Sequence, residues 1–312
     1  MKDRLFCTFL LIATGTPLSA GSKVYVATFG NDGNPCNTFS QPCATWGGAI
    51  SKAGYSGVVL ALDSGDFGSF LVSQPIIIDG GAHGAFATGS GLEIVGVTLD
   101  QSARGPVILR NISVVIDPPS GNQVSNIGIV ASVSGGSLVL DHVTVTIGPN
   151  LNQTQSAGGI SITAAAGVPV DLKDVTVSGV FRGIDIFNGA ATPAAPANAV
   201  LQNVSVSASQ IGLDAVETSV IIRNSSFRGA STGINAYATA TSPVSTIDST
   251  QVTNNNTGIS ANGGTLRLFN NVISGNTTGI TTSGGAIVIS FRNNAFSGNG
   301  TDGSSPLATS LK

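Results

Sequence analysis

The sequence predicts an all-β protein with a single domain, a parallel β-helix that has three short strands per coil and an N-terminal capping helix. Three observations support this prediction. A motif recurs along most of the chain, each unit alternates apolar and polar residues, and glycine, asparagine and serine separate the alternating stretches. A motif that recurs at a short period is the signature of a solenoid, in which each unit stacks on its neighbours.

The recurring motif begins with a polar residue that follows an apolar pair. These polar positions form what we call the marker row: Asn111, His142, Asp174, Asn203, Asn224, Ser249, Asn270 and Asn293. In five consecutive units a Gly-Ile or Gly-Leu pair follows at constant spacing and ends at Ile184, Leu213, Ile234, Ile259 and Ile280. We expect the marker row to form a ladder in which asparagine amides bond the coils above and below.

The content of each unit predicts strands. Runs of β-branched residues with a period of two, such as Val175-Thr176-Val177, are typical of short strands. Glycine, asparagine and serine between the runs tolerate the backbone angles that turns require. Neighbouring coils of such a solenoid stack at about 4.8 Å, so corresponding residues become vertical neighbours.

Composition restricts the classes of partner. Charged residues are only 9% of the chain and the formal net charge is −3. No basic face is present to hold phosphate groups, so a nucleic-acid partner is not expected.

Residues 1–20 have the pattern of a signal peptide. Lys2 and Arg4 give a positive start, an apolar run follows from Leu5 to Ala13, and small residues end at Ala20. The run is too short to span a membrane. We therefore expect export to the periplasm or the extracellular space.

Residues 21–55 are predicted to hold a strand, a disulfide loop and the capping helix. Cys36 and Cys43 lie seven positions apart, and in an exported chain a disulfide is the expected state. The alternative is a metal clip, but no histidine lies nearby. The oxygen atoms near Asp32 are of the kind that Ca²⁺ binds, and the competing interpretation is a plain Asx turn.

The capping helix is predicted from an apolar stripe. Trp46, Ala49, Ile50 and Ala53 share one side of a helix that Thr45 can cap. A helix there covers the open end of the stack, where strand edges would otherwise be unpaired. The β-helix is expected over residues 56–298, and residues 299–312 are expected to form a C-terminal tail.

The N-terminal region also carries a resemblance. The pieces Gly30-Asn31-Asp32-Gly33-Asn34-Pro35-Cys36 and Pro42-Cys43-Ala44-Thr45, followed by Val59–Gly68, resemble the start of secreted bacterial proteins of the pectate-lyase-like superfamily. The resemblance implies a right-handed parallel β-helix. Enzymes of that superfamily cut acidic polysaccharides, and its hydrolases carry a Gly-His-Gly piece that only Ala82-His83-Gly84 approaches here. The resemblance is therefore specific for the fold and weak for the reaction.

One outward row offers a candidate site. The residues after the Gly-Ile pairs of neighbouring coils are Asp185, Asp214 and Asn235, and stacking would place the two carboxylates about 5 Å apart. That separation suits a retaining glycosidase pair, or two Ca²⁺ ligands that bridge a uronate. Arg182 and Arg228 are expected to flank this face. The competing interpretation is a solvated strand face with an Arg–Asp pair.

Two functions follow from these features. The leading hypothesis is an exported β-helix protein of binding or structural type whose partner is an extracellular polysaccharide or cell-surface glycan. The alternative is a polysaccharide lyase or glycoside hydrolase with Asp185, Asp214 and Arg182 as catalytic residues. In either case Asn235, Arg228 and Tyr237 are the candidate ligand-binding residues, and no cofactor other than Ca²⁺ is suggested.

Overall fold

The computed structural model describes residues 21–89, 95–99, 105–116, 127–148, 157–190, 192–291 and 293–308. The predicted signal peptide, residues 1–20, lies outside the described residues. The strands of the described residues join into one continuous system of parallel pairings that runs from the first strand to the last.

In the part of the chain that the structure describes, one α-helix lies near the N-terminus, a 3₁₀ turn spans Gly81–His83, and short strands make up most of the rest. In chain order the elements are β1 (Lys23–Val26), α1 (Trp46–Ala53), β2 (Gly57–Ala61), β3 (Phe70–Val72), β4 (Ile76–Asp79), β5 (Ala85–Gly89), β6 (Val95–Leu99), β7 (Pro106–Ile116), β8 (Ile127–Val133), β9 (Ser137–Ile147), β10 (Gly158–Ala164), β11 (Pro169–Lys173), β12 (Thr176–Asn188), β13 (Ala197–Gln202), β14 (Ser205–Val216), β15 (Thr218–Arg223), β16 (Ser226–Arg228), β17 (Thr232–Tyr237), β18 (Val244–Asp248), β19 (Gln251–Thr253), β20 (Thr257–Asn262), β21 (Thr265–Phe269), β22 (Val272–Ser274), β23 (Thr278–Ser283), β24 (Ile287–Ser290), β25 (Ala295–Ser297), β26 (Thr301–Gly303) and β27 (Leu307–Ala308).

These strands stack into three faces. Face A contains β1, β2, β4, the first halves of β7 and β9, and then β11, β13, β15, β18, β21, β24 and β27. Face B contains β5, the second halves of β7 and β9, the first halves of β12 and β14, and then β16, β19, β22 and β25. Face C contains β3, β6, β8, β10, the second halves of β12 and β14, and then β17, β20, β23 and β26. The predicted parallel β-helix with three strands per coil is confirmed.

The interior is built from vertical rows of aliphatic side chains. Leu213, Ile234, Ile259 and Ile280 are direct register partners on face C, and all four are fully buried. Each such side chain contributes about 1.5–3 kcal/mol by its removal from water. The repeat spacing therefore predicted which residues lie above one another.

The glycine before each of these side chains leaves no room for a larger residue. A Cβ atom at Gly233 would lie 2.7 Å from the Gly258 carbonyl oxygen and 2.8 Å from a Val252 methyl group. The Gly-Ile pair therefore recurs because the backbone at the start of face C packs directly against the next coil and against interior side chains of face B. Only glycine fits there.

The marker row does not form the predicted ladder as a whole. Asn203, Asn224 and Asn270 are exposed and adopt left-handed backbone angles, with φ between 50° and 56°. Asparagine is favoured there because its short polar side chain tolerates this conformation. Within the described residues, two amides of the row bond a row member on a neighbouring coil as predicted: Asn203 donates to Asp174 and Asn293 donates to Asn270, both at 2.8 Å.

The buried asparagine ladder stands at a different position, in the turn that enters face C. The Asn255 backbone N–H donates to the Asn276 Oδ1 atom, and the Asn276 N–H donates to the Asn299 Oδ1 atom, both at 3.0 Å. The Asn276 amide nitrogen donates in turn to the Val252 carbonyl at 3.0 Å. A second ladder joins Asn271 to Asn294. These amides satisfy backbone groups that the turns would otherwise leave unpaired inside the solenoid.

The N-terminal cap matches its prediction. Trp46, Ala49, Ile50 and Ala53 of α1 are buried, and the Thr45 hydroxyl accepts a hydrogen bond from the Gly48 N–H at 3.0 Å. Burial of this side of α1 covers the first coil and completes the interior at that end.

The loop before α1 is held by a disulfide and by a carboxylate. Cys36 and Cys43 form the expected disulfide, with their Cα atoms 5.2 Å apart. The Asp32 carboxylate accepts hydrogen bonds from the Ala44 and Thr45 N–H groups at 2.8 and 3.0 Å. Burial raises the pKa of Asp32, but these bonds and that from the Thr45 hydroxyl outweigh it and leave the pKa below its usual value. The oxygen atoms considered for Ca²⁺ thus fasten the loop to the helix.

At the other end, the stack continues into the segment that the sequence assigns to a tail. Thr301–Gly303 pairs with face C and Leu307–Ala308 pairs with face A. Both strands are short, and their residues are mostly exposed.

Candidate functional site

The candidate acids lie on neighbouring coils of face C. Asp185 is the register partner of Asp214, and Asp214 is the register partner of Asn235. Their side chains point away from the interior because Ile184 and Ile186, on either side of Asp185 in β12, are fully buried. The row continues through Ser260 and Thr281.

Arg182 joins the two acids. Its Nε atom donates to Asp185 Oδ2 at 2.9 Å, and its Nη2 atom donates to Asp185 Oδ1 at 2.8 Å and to Asp214 Oδ2 at 2.6 Å. Asn235 donates to the remaining oxygen, Asp214 Oδ1, at 2.8 Å. Each of the four carboxylate oxygens therefore has a donor. We call these four residues the Arg182 network.

The network is largely covered. The side chains of Asp185 and Asp214 are 13% and 10% exposed, and that of Arg182 is 31% exposed. The Arg–Asp pair of the competing interpretation is present, but the solvated face that it assumed is not found at these two acids. The cover arises because Arg182 lies three residues before Asp185 on the same strand and extends over both coils.

Burial changes the proton affinity of the network. Removal from water raises the pKa of the Asp185 carboxyl, and the nearby charge of Asp214 adds to that effect. The hydrogen bonds and charge of Arg182 act in the opposite direction without cancelling it. The hydrogen bonds that Arg182 donates to Asp185 and Asp214, together with the charges of these acids, outweigh its own burial and raise its pKa. The guanidinium therefore remains charged and offsets one of the two negative charges that the acids carry when both are ionised.

A second outward row lies beside the network. Phe187, Val216, Tyr237, Asn262 and Ser283 are successive register partners on face C. Tyr237 is 38% exposed and lies two residues after Asn235 on the same strand, so the two side chains share one surface. The structure thus places Asn235 and Tyr237 together, as the predicted site requires.

Arg228 is not brought to this surface. It lies in β16 on face B, where its register partners are Ser207 and Thr253. Among the described residues, no ion pair or hydrogen bond joins Arg228 to the Arg182 network. The expectation that Arg228 flanks the acids is wrong because a turn separates β16 from β17, and the two strands belong to different faces.

Glu217 is a buried acid that the sequence pattern did not single out. It follows β14 at a φ of 51°, and its carboxylate accepts hydrogen bonds from the backbone N–H groups of Thr239, Ala240 and Thr241 at 2.6, 2.8 and 2.8 Å. Burial raises the pKa of Glu217, but these bonds and those from the threonine hydroxyls outweigh it and hold the pKa at about 2. Glu217 therefore anchors the loop that leads from face C to face A.

A cluster of titratable groups lies at the marker row. His142 bonds Asp141 at 2.8 Å and approaches Asp174 at 3.6 Å. Such a group has the ligand types of a metal site. However, the Lys173 ammonium lies 3.8 and 3.7 Å from the same two carboxylates and supplies positive charge there. The contacts of His142 agree with a role in bonding neighbouring coils.

Comparisons with known proteins agree with this architecture. A family model described as "Right handed beta helix region" matches residues 158–310. A rhamnogalacturonan lyase is similar in structure, with a TM-score of 0.59 and 14% identity over 83% of this chain and 75% of the lyase chain. The pectate lyase Pel9A gives a TM-score of 0.48 with 14% identity over 94% of this chain and 78% of its own.

A third similar structure is the A-module of the mannuronan C-5 epimerase AlgE6 of Azotobacter vinelandii. It has a TM-score of 0.40 and 12% identity over 85% of this chain and 94% of the module. No curated protein matches the chain in sequence. Within the described ranges, no helix has the length and apolar character needed to cross a membrane. The stacked parallel coils, the family match and the likeness to the rhamnogalacturonan lyase together show that the chain has a right-handed parallel β-helix fold.

Proposed function

We propose that the protein is exported and binds an extracellular polysaccharide through face C without cleaving it. The observation that supports this proposal is the Arg182 network. A catalytic carboxylate must reach the substrate, whereas each oxygen of Asp185 and Asp214 already accepts a hydrogen bond from Arg182 or Asn235. The two acids hold neighbouring coils together and position Asn235 at the surface.

The surface beside the network has the chemistry that a glycan requires. Asn235, Ser260 and Thr281 form one outward row, and Tyr237, Asn262 and Ser283 form the next. Amides and hydroxyls donate and accept hydrogen bonds, as sugar hydroxyls do. The exposed ring of Tyr237 offers an apolar surface and a polar tip, which suits the two sides of a sugar ring. Because the rows run along the stack, they would contact an extended polymer at several successive units.

Replacement of Tyr237 by alanine is expected to weaken polysaccharide retention about 5- to 30-fold, because an aromatic contact contributes on the order of 1–2 kcal/mol. Retention would be measured by affinity electrophoresis in gels that contain pectic, alginate or neutral polysaccharides. Phe29→Ala is the matched control, since Phe29 is an exposed aromatic residue in the N-terminal loop. Failure of the unaltered chain to bind any of these polymers would rule the proposal out, as would equal loss in both variants.

Catalysis on an acidic glycan is the second candidate function. The observation that favours it is the raised pKa of Asp185, since a raised pKa makes a carboxyl group better suited to act as a general acid. Asp185 and Asp214 also lie on neighbouring rungs, which fits the spacing of a retaining pair. This function requires release of new reducing or unsaturated ends that Asp214→Asn abolishes. Release that is unchanged in that variant would exclude these acids.

A further inference from the structure

Face A carries an outward row that begins with Lys23, Val58 and Ile77 and continues through nine further coils. Nine side chains on successive coils are register partners, and we call them the face A row: Ile108, Val139, Asp171, Val200, Ile221, Thr246, Arg267, Ile289 and Leu307. All nine are partly or fully exposed, and Leu307 is 64% exposed. Ile221 is the fifth of these nine side chains, and it lies midway between Asp171 and Arg267, two coils from each.

Six of the nine side chains are aliphatic, Thr246 carries a hydroxyl, and Asp171 and Arg267 are charged. Open grooves lie along it, one of about 330 Å³ lined by Val200, Ile221 and Val244, and one of about 460 Å³ lined by Phe269, Ile289 and Leu307. A contiguous apolar strip of this kind on a soluble protein marks an interaction surface. The Asn235–Tyr237 surface belongs to face C, so the face A row is a separate feature.

The two charges are opposite in sign and stand at equal distances from the centre. Asp171 lies two coils before Ile221, and Arg267 lies two coils after it. Among the described residues, neither side chain forms an ion pair or a side-chain hydrogen bond. Burial between apolar neighbours raises the pKa of Asp171, which shows that no cation offsets its loss of water. A partner that supplies a cation to Asp171 and an anion to Arg267 would satisfy both groups.

We propose that the face A row is the interface of an antiparallel homodimer. The two-fold axis runs along the strand direction at the level of Ile221. A coil that lies a given number of coils before Ile221 therefore faces the coil of the second copy that lies the same number of coils after it. Asp171 then faces Arg267 of the second copy, and Arg267 faces its Asp171. Val139 faces Ile289, and Ile108 faces Leu307. An isologous contact of this type requires a self-complementary surface, which the row provides.

Charge also selects between the two possible directions. In a parallel arrangement each coil would face its own equivalent, so Asp171 would face a second aspartate and Arg267 a second arginine. Like charges at an interface are unfavourable by several kcal/mol. In the antiparallel arrangement, Arg223 lies at the level of the axis, and Asp248 of each copy lies one coil away from it. The two Arg223 side chains, one from each copy, therefore have an Asp248 carboxylate one coil away on either side.

The area is sufficient for a specific dimer. Nine coils span about 38 Å at 4.8 Å per rung, and a five-residue strand is about 17 Å wide. Their product is roughly 650 Å² per copy, close to the roughly 800 Å² per partner of a standard interface. Two flat sheets can stack at about 10 Å with their side chains interdigitated.

Charge reversal tests the reciprocal pairing. Sedimentation velocity on the full chain, over about 1 to 100 μM, is expected to show a monomer–dimer equilibrium. Asp171→Arg and Arg267→Asp should each weaken the dimer about 100-fold, because each places two pairs of like charges in contact. The double variant Asp171→Arg with Arg267→Asp should restore dimerisation. A monomer at every concentration, or no loss in the single variants, would overturn the proposal.

Cross-linking tests the direction of the dimer. In a Cys7→Ser background, Ile221→Cys should cross-link efficiently with a short bismaleimide, because each Ile221 faces the other across the axis. Ile289→Cys is the matched control on the same row, since its equivalent lies six coils, or about 29 Å, away. Cross-linking at both positions would indicate a parallel dimer, and cross-linking at neither would exclude this interface. Either result would overturn the proposal, while polysaccharide binding on face C would be judged separately.

Discussion

Replacement of Asn276 by alanine is expected to lower the free energy of unfolding by about 3–5 kcal/mol, because it leaves several buried polar groups without hydrogen-bond partners. The Asn276 side chain accepts from the Asn255 N–H and amide, and it donates to the Val252 carbonyl and to Asn299. Asn276 is almost fully buried, so water cannot replace these partners. Urea denaturation followed by circular dichroism measures the change.

Asn293→Ala is the matched control for this prediction. Asn293 also bonds a neighbouring coil, through Asn270 at 2.8 Å, but it is exposed. Water can replace that bond, so the expected loss is about 0.5–1 kcal/mol. Equal losses in the two variants would show that the buried asparagine ladder does not contribute more to stability than surface bonds between coils.

Replacement of Glu217 by glutamine is expected to destabilise the protein by about 2–3 kcal/mol at neutral pH. The carboxylate accepts from three consecutive N–H groups and two hydroxyls of Thr239–Thr241, and an amide nitrogen would face some of these donors. Because the pKa of Glu217 is lowered from 4.5 to about 2 on folding, its contribution is complete above about pH 4.5. The contribution is then lost as the pH falls towards 2. The difference in stability between the unaltered chain and Glu217→Gln should therefore shrink across that window.

Thermal unfolding at a series of pH values from neutral to about 2 measures this dependence. Asp302→Asn serves as the control, since Asp302 is an exposed acid near the C-terminal end and its replacement should change stability by less than about 0.5 kcal/mol. A constant difference between Glu217→Gln and the unaltered chain over the whole range would contradict the assigned role of Glu217.

The fold was predictable because the repeat itself encodes the register. The spacing of Ile234, Ile259 and Ile280 predicts that they lie above one another, and the pairing of β17, β20 and β23 agrees. The same spacing places Asp185 beside Asp214. Vertical neighbours in a solenoid can be read from the sequence, since only the length of each coil is needed.

The position of the buried asparagine ladder was not predictable from spacing. The pair Asn270-Asn271 offers two asparagines in one turn, of which Asn270 adopts a φ of 50° at the surface and Asn271 is buried. The identity of the residue does not tell these roles apart. Backbone angles decide which of the two amides enters the solenoid, and the regular spacing is the same for both.

The sequence also could not predict whether the candidate acids are covered or open to solvent. Their proximity follows from the register, but their coverage depends on the orientation of Arg182 across two coils. A long side chain can extend towards solvent or fold over its neighbours, and the spacing is the same in both cases. This difference separates a hydrogen-bonded structural network from an open pair of acids, and it is the reason that we propose binding rather than catalysis.

The most direct test of polysaccharide binding without cleavage combines a binding assay with analysis of the products. The full chain would be incubated with the polysaccharide that it retains, and the polymer would then be assayed for chain length, reducing ends and unsaturated ends. We expect the polymer to be recovered at its original length, and we expect retention of the polysaccharide to fall with Tyr237→Ala. Release of new ends by the unaltered chain, lost in Asp214→Asn, would contradict this expectation and would show that the acids of the Arg182 network are catalytic.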